Sequence, residues 1–120
     1  MIPKKNDEIC DIVKYAANAA LDKKAENIVI LDLRNICDFA DFFIICTGST
    51  SNHLCVIVDS IEEKLSSYGI KKDHLEGYPD SEWILADFSD LIIHVFTNDK
   101  REFYELERLW GDAPRLDLDE

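Results

Sequence analysis

The chain has 120 residues, 47% of them apolar, and 25 Asp and Glu against 13 Lys and Arg give it a formal net charge of −12. A chain of this size and apolar content forms one domain, spanning 1–120, and is not disordered. Its charge works against direct nucleic-acid binding, which needs cations to displace phosphate counterions, and favours encounter with a basic protein surface.

Asn6 or Asp7 can cap a first helix, in which Ile9, Val13, Ala16, Ala17, Ala20 and Leu21 recur at helical spacing up to about Lys24. Asn27 to Leu33, NIVILDL, reads as a strand buried on both faces, and Phe42 to Gly48, FFIICTG, as a second. Ser49 or Ser51 can cap the next helix, whose core face is Leu54, Ile57, Val58, Ile61, Leu65 and Tyr68, with Gly69 as the stop. The polar stretch KKDHLEGYPDSE allows a short strand at its start and a Tyr-Pro-Asp turn. Trp83 to Asp87 and Leu91 to Phe96 read as two strands joined by a Phe-Ser-Asp hairpin. A third helix is predicted from Asn98-Asp99, carrying Phe103, Leu106, Leu109 and Trp110, with Gly111 and Pro114 as stops and a loose acidic tail. Helical faces need a sheet to cover, so this order predicts an α/β protein: a three-layer α/β/α domain with a mixed sheet.

No apolar run reaches the ~18 residues a membrane span needs, and the acid-bearing N-terminal MIPKKNDEICD lacks a signal's apolar core, so the cytoplasm is the expected location. Cys10, Cys37, Cys46 and Cys55 have no paired spacing and read as small buried hydrophobes.

Thr47-Gly48-Ser49-Thr50-Ser51 is the kind of strand-to-helix turn that holds phosphates, and it is similar to the Gly-Ser turn of nucleotidyltransferases. Those enzymes also need metal-holding carboxylates two apart on a strand. Asp87 and Asp90 are three apart, which points them to opposite faces, and Asp32 has no acidic partner. An enzyme using Gly48-Ser49 stays as the alternative function. Cys46, His53 and Cys55 lie near one another, but their spacing suits packing better than metal binding. His94, between Ile93 and Val95, has no local carboxylate to orient it and reads as a hydrogen-bonded structural residue, not a base.

Taken in order, TGSTSNH (Thr47–His53), Glu76-Gly77, Trp83-Ile84-Leu85-Ala86-Asp87, Ser89-Asp90, His94 and the run from Arg101 to Ala113 resemble the ribosomal silencing factor family, also called Iojap-like. The likeness runs from the first helix to Leu116. It implies a fold related to nucleotidyltransferases without their chemistry, no cofactor and no metal. It also implies docking on the large ribosomal subunit through its basic ribosomal protein fourteen, which blocks small-subunit joining and damps translation when nutrients are scarce. A homodimer when free is implied as well. The partner-binding residues so implied are Glu76, Gly77, Trp83, Asp87, Asp90, His94, Arg101 and Tyr104. Each has a plainer alternative: Trp83 as core, Glu76 as a solvated acid, Asp87 and Asp90 as hairpin-closing side chains, and Arg101 and Tyr104 as intramolecular contacts. Leu106, Leu109 and Trp110 read as core or dimer contacts. The chain departs from the family in having Ser89 where Gly is usual and Asn52 where Arg often precedes the His.

Overall fold

The computed structural model describes residues 5–34, 40–99 and 114–115, with side chains from Asp11 onward. The order is α1 (Lys5–Asp22), β1 (Glu26–Asp32), β2 (Phe42–Gly48), α2 (Ser51–Ser66), β3 (His74–Glu76), β4 (Trp83–Asp87) and β5 (Leu91–Thr97). The strands form one sheet in the order β1-β2-β5-β4-β3. β2 and β5 pair in parallel and the remaining neighbours antiparallel, so the sheet is mixed, as the alternation of element types predicts.

The two central strands, β2 and β5, are buried along their full length, which is why both read as unbroken apolar runs. Both helices cover one face of the sheet. Val13, Ala16, Ala17 and Ala20 of α1 and Leu54, Ile57, Val58, Ile61 and Leu65 of α2 pack on Ile30, Phe42, Ile44, Ile84, Ile93 and Val95. The opposite face gathers a second cluster of Leu31, Leu33, Phe43, Ile45, Ile92 and Phe96, against which Val29, Trp83 and Leu85 lie. The predicted third helix, with Arg101, Tyr104, Leu106, Leu109 and Trp110, lies outside the described residues, and so does the third layer it would form.

Helix ends account for most departures from the sequence reading. α1 already includes Asn6 and Asp7, so neither caps it. Leu21 is half exposed, because the last turn of α1 passes beyond the sheet. Lys24 closes that helix at φ 67, the left-handed position glycine favours, and the Ala25 N–H returns to the Ala20 carbonyl. In α2 the cap is Thr50, not Ser49 or Ser51: its hydroxyl accepts from the His53 N–H. α2 stops at Ser66, Gly69 takes φ 80, and the Ile70 N–H reaches the Leu65 carbonyl. That turn carries Tyr68 away from the core, where it is 48% exposed and stacks on Tyr15 at 4.5 Å. β1 is buried only at Ile30 and Leu31; its register slips between Glu26 and Val29, and Asn27 sits at φ 52.

Candidate functional site

Side chains directly opposite in paired strands share a face, so the register decides which candidate residues meet. Glu76 of β3 faces Leu85 of β4, which faces His94 of β5, and Trp83 faces Phe96. Glu76, Trp83, Leu85, Asp87 and His94 thus lie on the sheet face turned away from the helices. Along β4 every second residue, Trp83, Leu85 and Asp87, is half-buried, while Ile84 and Ala86 point into the helical core. The result is an apolar stripe of Trp83 and Leu85 at the surface, with the carboxylates of Glu76 and Asp87 beside it.

Trp83 is held from several directions. Its indole stacks on Phe96 with centroids 5.1 Å apart. Its Nε1–H donates to His94 Nδ1 at 3.2 Å. Ser81 Oγ accepts from the Trp83 N–H at 3.1 Å and donates to the Trp83 carbonyl at 3.0 Å. Gly77, at φ 84, ends β3 so close by that a Cβ there would stand 2.2 Å from the Trp83 carbonyl oxygen. No other residue type fits at Gly77 without moving Trp83. The segment between them is fastened to α2: the Cys55 thiol donates to the Pro79 carbonyl at 3.2 Å, and the Tyr78 hydroxyl to Asp59 at 3.1 Å. Burial pushes the Cys55 thiol pKa up, so it is a protonated donor there and not a nucleophile.

His94 is 5% exposed, with Phe43 edge-on at 4.8 Å. Burial pulls its pKa down to about 4, so the ring is neutral in ordinary buffers. Since Nδ1 accepts from Trp83, the proton of the neutral ring sits on Nε2, which is buried with no hydrogen-bond partner among the described residues. Among the described residues no carboxylate is bonded to His94; its Nδ1 is occupied by the Trp83 indole N–H.

The Gly-Ser turn is spent on packing. The Ser49 N–H, one of those a phosphate would need, donates to His53 Nδ1 at 2.8 Å, and the His53 Nε2–H donates to the Lys23 carbonyl at 2.7 Å. Both ring nitrogens are thereby used, Nδ1 to close the β2–α2 turn and Nε2 to tie α2 to the end of α1, and neither joins Cys46 or Cys55. Cys46 is wholly buried in the core, as read. Gly48 leaves little room: a Cβ there would meet the end of the Leu54 side chain at 2.6 Å, so that side chain would have to shift.

Of the eight partner-binding candidates, four lie on one face: Glu76, Trp83, Asp87 and His94. Gly77 supports Trp83 through its backbone. Asp90 is exposed in the hairpin turn, where its carbonyl accepts from the Asp41 and Phe42 N–H groups. Asp87 closes that turn, accepting from the Ser89 N–H at 2.7 Å, and Ser89 takes φ 76. Arg101 and Tyr104 lie outside the described residues. Leu85 was missed, though strand alternation two residues after Trp83 marks it. Ser81 and Phe96 were missed because only the register shows that they hold Trp83.

The described residues thus form an α/β domain with a half-buried apolar stripe fringed by acids, and the Ser49 N–H of its phosphate-type turn is taken by His53. The family model described as ribosomal silencing factor during starvation matches residues 6–120, and the chain belongs to that family. It is 43% identical over 108 residues to the ribosomal silencing factor of Bacillus subtilis, covering 90% of this chain and 92% of that one. The chloroplastic Iojap protein of Zea mays is 32% identical over 118 residues, 93% of this chain and 50% of the maize protein. A crystal structure of a Chromobacterium violaceum protein superposes with a TM-score of 0.83 at 31% identity, covering 86% of each chain. One from Bacillus halodurans gives 0.78 at 36% identity, covering 89% of this chain and 97% of that one. The family model and the Bacillus subtilis relative both carry the name ribosomal silencing factor, a non-enzymatic regulatory family.

Proposed function

We propose that this protein acts in the cytoplasm on the large ribosomal subunit, docking on its ribosomal protein fourteen so that the small subunit cannot join, and so damps translation under nutrient limitation. The docking surface is the face of β3, β4 and β5 that carries Glu76, Trp83, Leu85 and Asp87, with Arg101 and Tyr104 extending it. One observation carries the reading: Trp83 and Leu85 form a half-buried apolar stripe beside Glu76 and Asp87, on the face away from α1 and α2. An aromatic anchor gives affinity, and acids beside it suit a basic partner. The net charge of −12 favours the same encounter at long range. Free protein is proposed to be a homodimer.

The test is binding of purified ribosomal protein fourteen by two variants. Trp83→Glu removes the anchor and is expected to weaken binding by roughly 30-fold, about 2 kcal/mol. Glu76→Lys changes an exposed side chain that bonds His74, so it should weaken binding several-fold with an unchanged melt. Wild-type affinity in both variants would refute this surface.

A further inference from the structure

Tyr15 and Tyr68 meet in the helical layer, across the sheet from the proposed docking face. Their rings are parallel to within 6°, with centroids 4.5 Å apart. Both stand on fixed backbone: Tyr15 lies inside α1, and the Tyr68 N–H donates to the Leu65 carbonyl at 3.0 Å in the turn that ends α2. The Lys64 ammonium lies 6.0 Å from the Tyr15 centroid and 5.9 Å from that of Tyr68, a cation placed to hold the two rings together. Tyr68 is 48% exposed and Tyr15 is half-buried, so a solute reaches one ring and the stack connects it to the other. Among the described residues this is the one pair of tyrosines in ring contact. Tyr78 gives its hydroxyl to Asp59 instead.

We propose that Tyr15 and Tyr68 are a modification site: hydrogen peroxide and a haem peroxidase join them as an intramolecular dityrosine that fastens α1 to the end of α2. Each phenol gives one electron and its hydroxyl proton to the oxidised haem. The two phenoxyl radicals pair their electrons in a new bond between ring carbons ortho to the oxygens. The hydrogen on each joined carbon then moves to the neighbouring oxygen and restores both phenols. The protein loses two hydrogen atoms in all, and one hydrogen peroxide is reduced to two waters. Proximity decides which radicals meet, and a ring in contact has a far higher effective concentration than a ring on another molecule. The stacked rings open like a book about the joined edge, and Tyr68, at the surface, has room to turn. The new bond closes the long stretch from α1 through α2 into a loop, which removes chain entropy from the unfolded state. This site is independent of the docking reading.

The experiment treats dilute purified protein with hydrogen peroxide and a haem peroxidase, beside Tyr15→Phe, Tyr68→Phe and Tyr78→Phe. The products are denatured and followed by intact mass, peptide mapping and dityrosine fluorescence. Phenylalanine keeps the ring and the stack but has no hydroxyl to oxidise, so the variants remove the chemistry and leave the packing. The expected product is a monomer lighter by two hydrogens, with one linked peptide joining Tyr15 to Tyr68. It should form in wild type and Tyr78→Phe and in neither of the other variants. The linked monomer should melt roughly 10 °C above the untreated protein. Links formed only between molecules, or a linked monomer that persists in Tyr15→Phe or Tyr68→Phe, overturn the assignment. So does an absence of dityrosine once the peroxide is consumed. A linked monomer that melts below the untreated protein shows that the bond does not fit the fold, and overturns it as well.

Discussion

Mild acid should destabilise this protein through His94. The ring's pKa is lowered by burial to about 4 in the folded chain, against about 6.5 for an unfolded histidine. Below about 6.5 the unfolded chain takes up a proton that the folded one refuses, so stability falls as the pH falls, until the folded ring also titrates near 4. The full loss is about 3 kcal/mol. Between about pH 7.5 and about pH 5.5 the same relation gives about 1.3 kcal/mol, a fall in Tm of roughly 5 °C for a domain of this size. That window stays above the isoelectric point of about 4.5, where precipitation would interfere. Asp32, whose carboxyl is held below the usual range by its hydrogen bond from Arg34, gives up its contribution only in more acid solution. The assay is thermal unfolding at the two pH values for wild type and His94→Asn, whose side chain does not titrate. Every other group is common to both chains, so the wild-type drop should exceed the variant's by roughly 5 °C. Equal drops would show that His94 takes up its proton as readily folded as unfolded, and the buried, neutral ring described above would be wrong.

Gly77→Ala puts a Cβ 2.2 Å from the Trp83 carbonyl oxygen at a backbone φ of 84. It should cost about 2 kcal/mol or more in urea unfolding and weaken binding through the displaced Trp83. Ser89→Gly should do the reverse: Ser89 holds φ 76 in the hairpin turn, and glycine there should stabilise the fold by about 0.5–1 kcal/mol, seen as a higher urea midpoint with an unchanged m value.

Strand spans were legible where composition and turn chemistry agree. Phe42–Gly48 and Trp83–Asp87 are read to the residue, because each is an apolar run bounded by turn formers. The hairpin survives with serine in place of the family's usual glycine because the Asp87 carboxylate takes the Ser89 N–H. Tyr68 fits the helical spacing of the core face but lies outside the core, because α2 ends at Ser66 and the chain beyond no longer follows a 3.6-residue period. The site was legible as a set of residues but not as an arrangement. Period-2 alternation puts Trp83, Leu85 and Asp87 on one face, yet which face it is depends on the helices packing on the other. The Trp83–His94 bond joins residues eleven apart, and it exists only because the three-residue hairpin sets the β4–β5 register. Likewise, TGSTSNH looks open to a phosphate until His53 is seen to occupy the Ser49 N–H.

The most direct test of the whole account is sedimentation of the purified protein with isolated ribosomal subunits at physiological salt. The account predicts that the wild-type protein pellets with large subunits and not with small ones, and that Trp83→Glu stays in the supernatant while still melting cooperatively. A wild-type protein that fails to pellet with large subunits, or pellets equally with both, would contradict it.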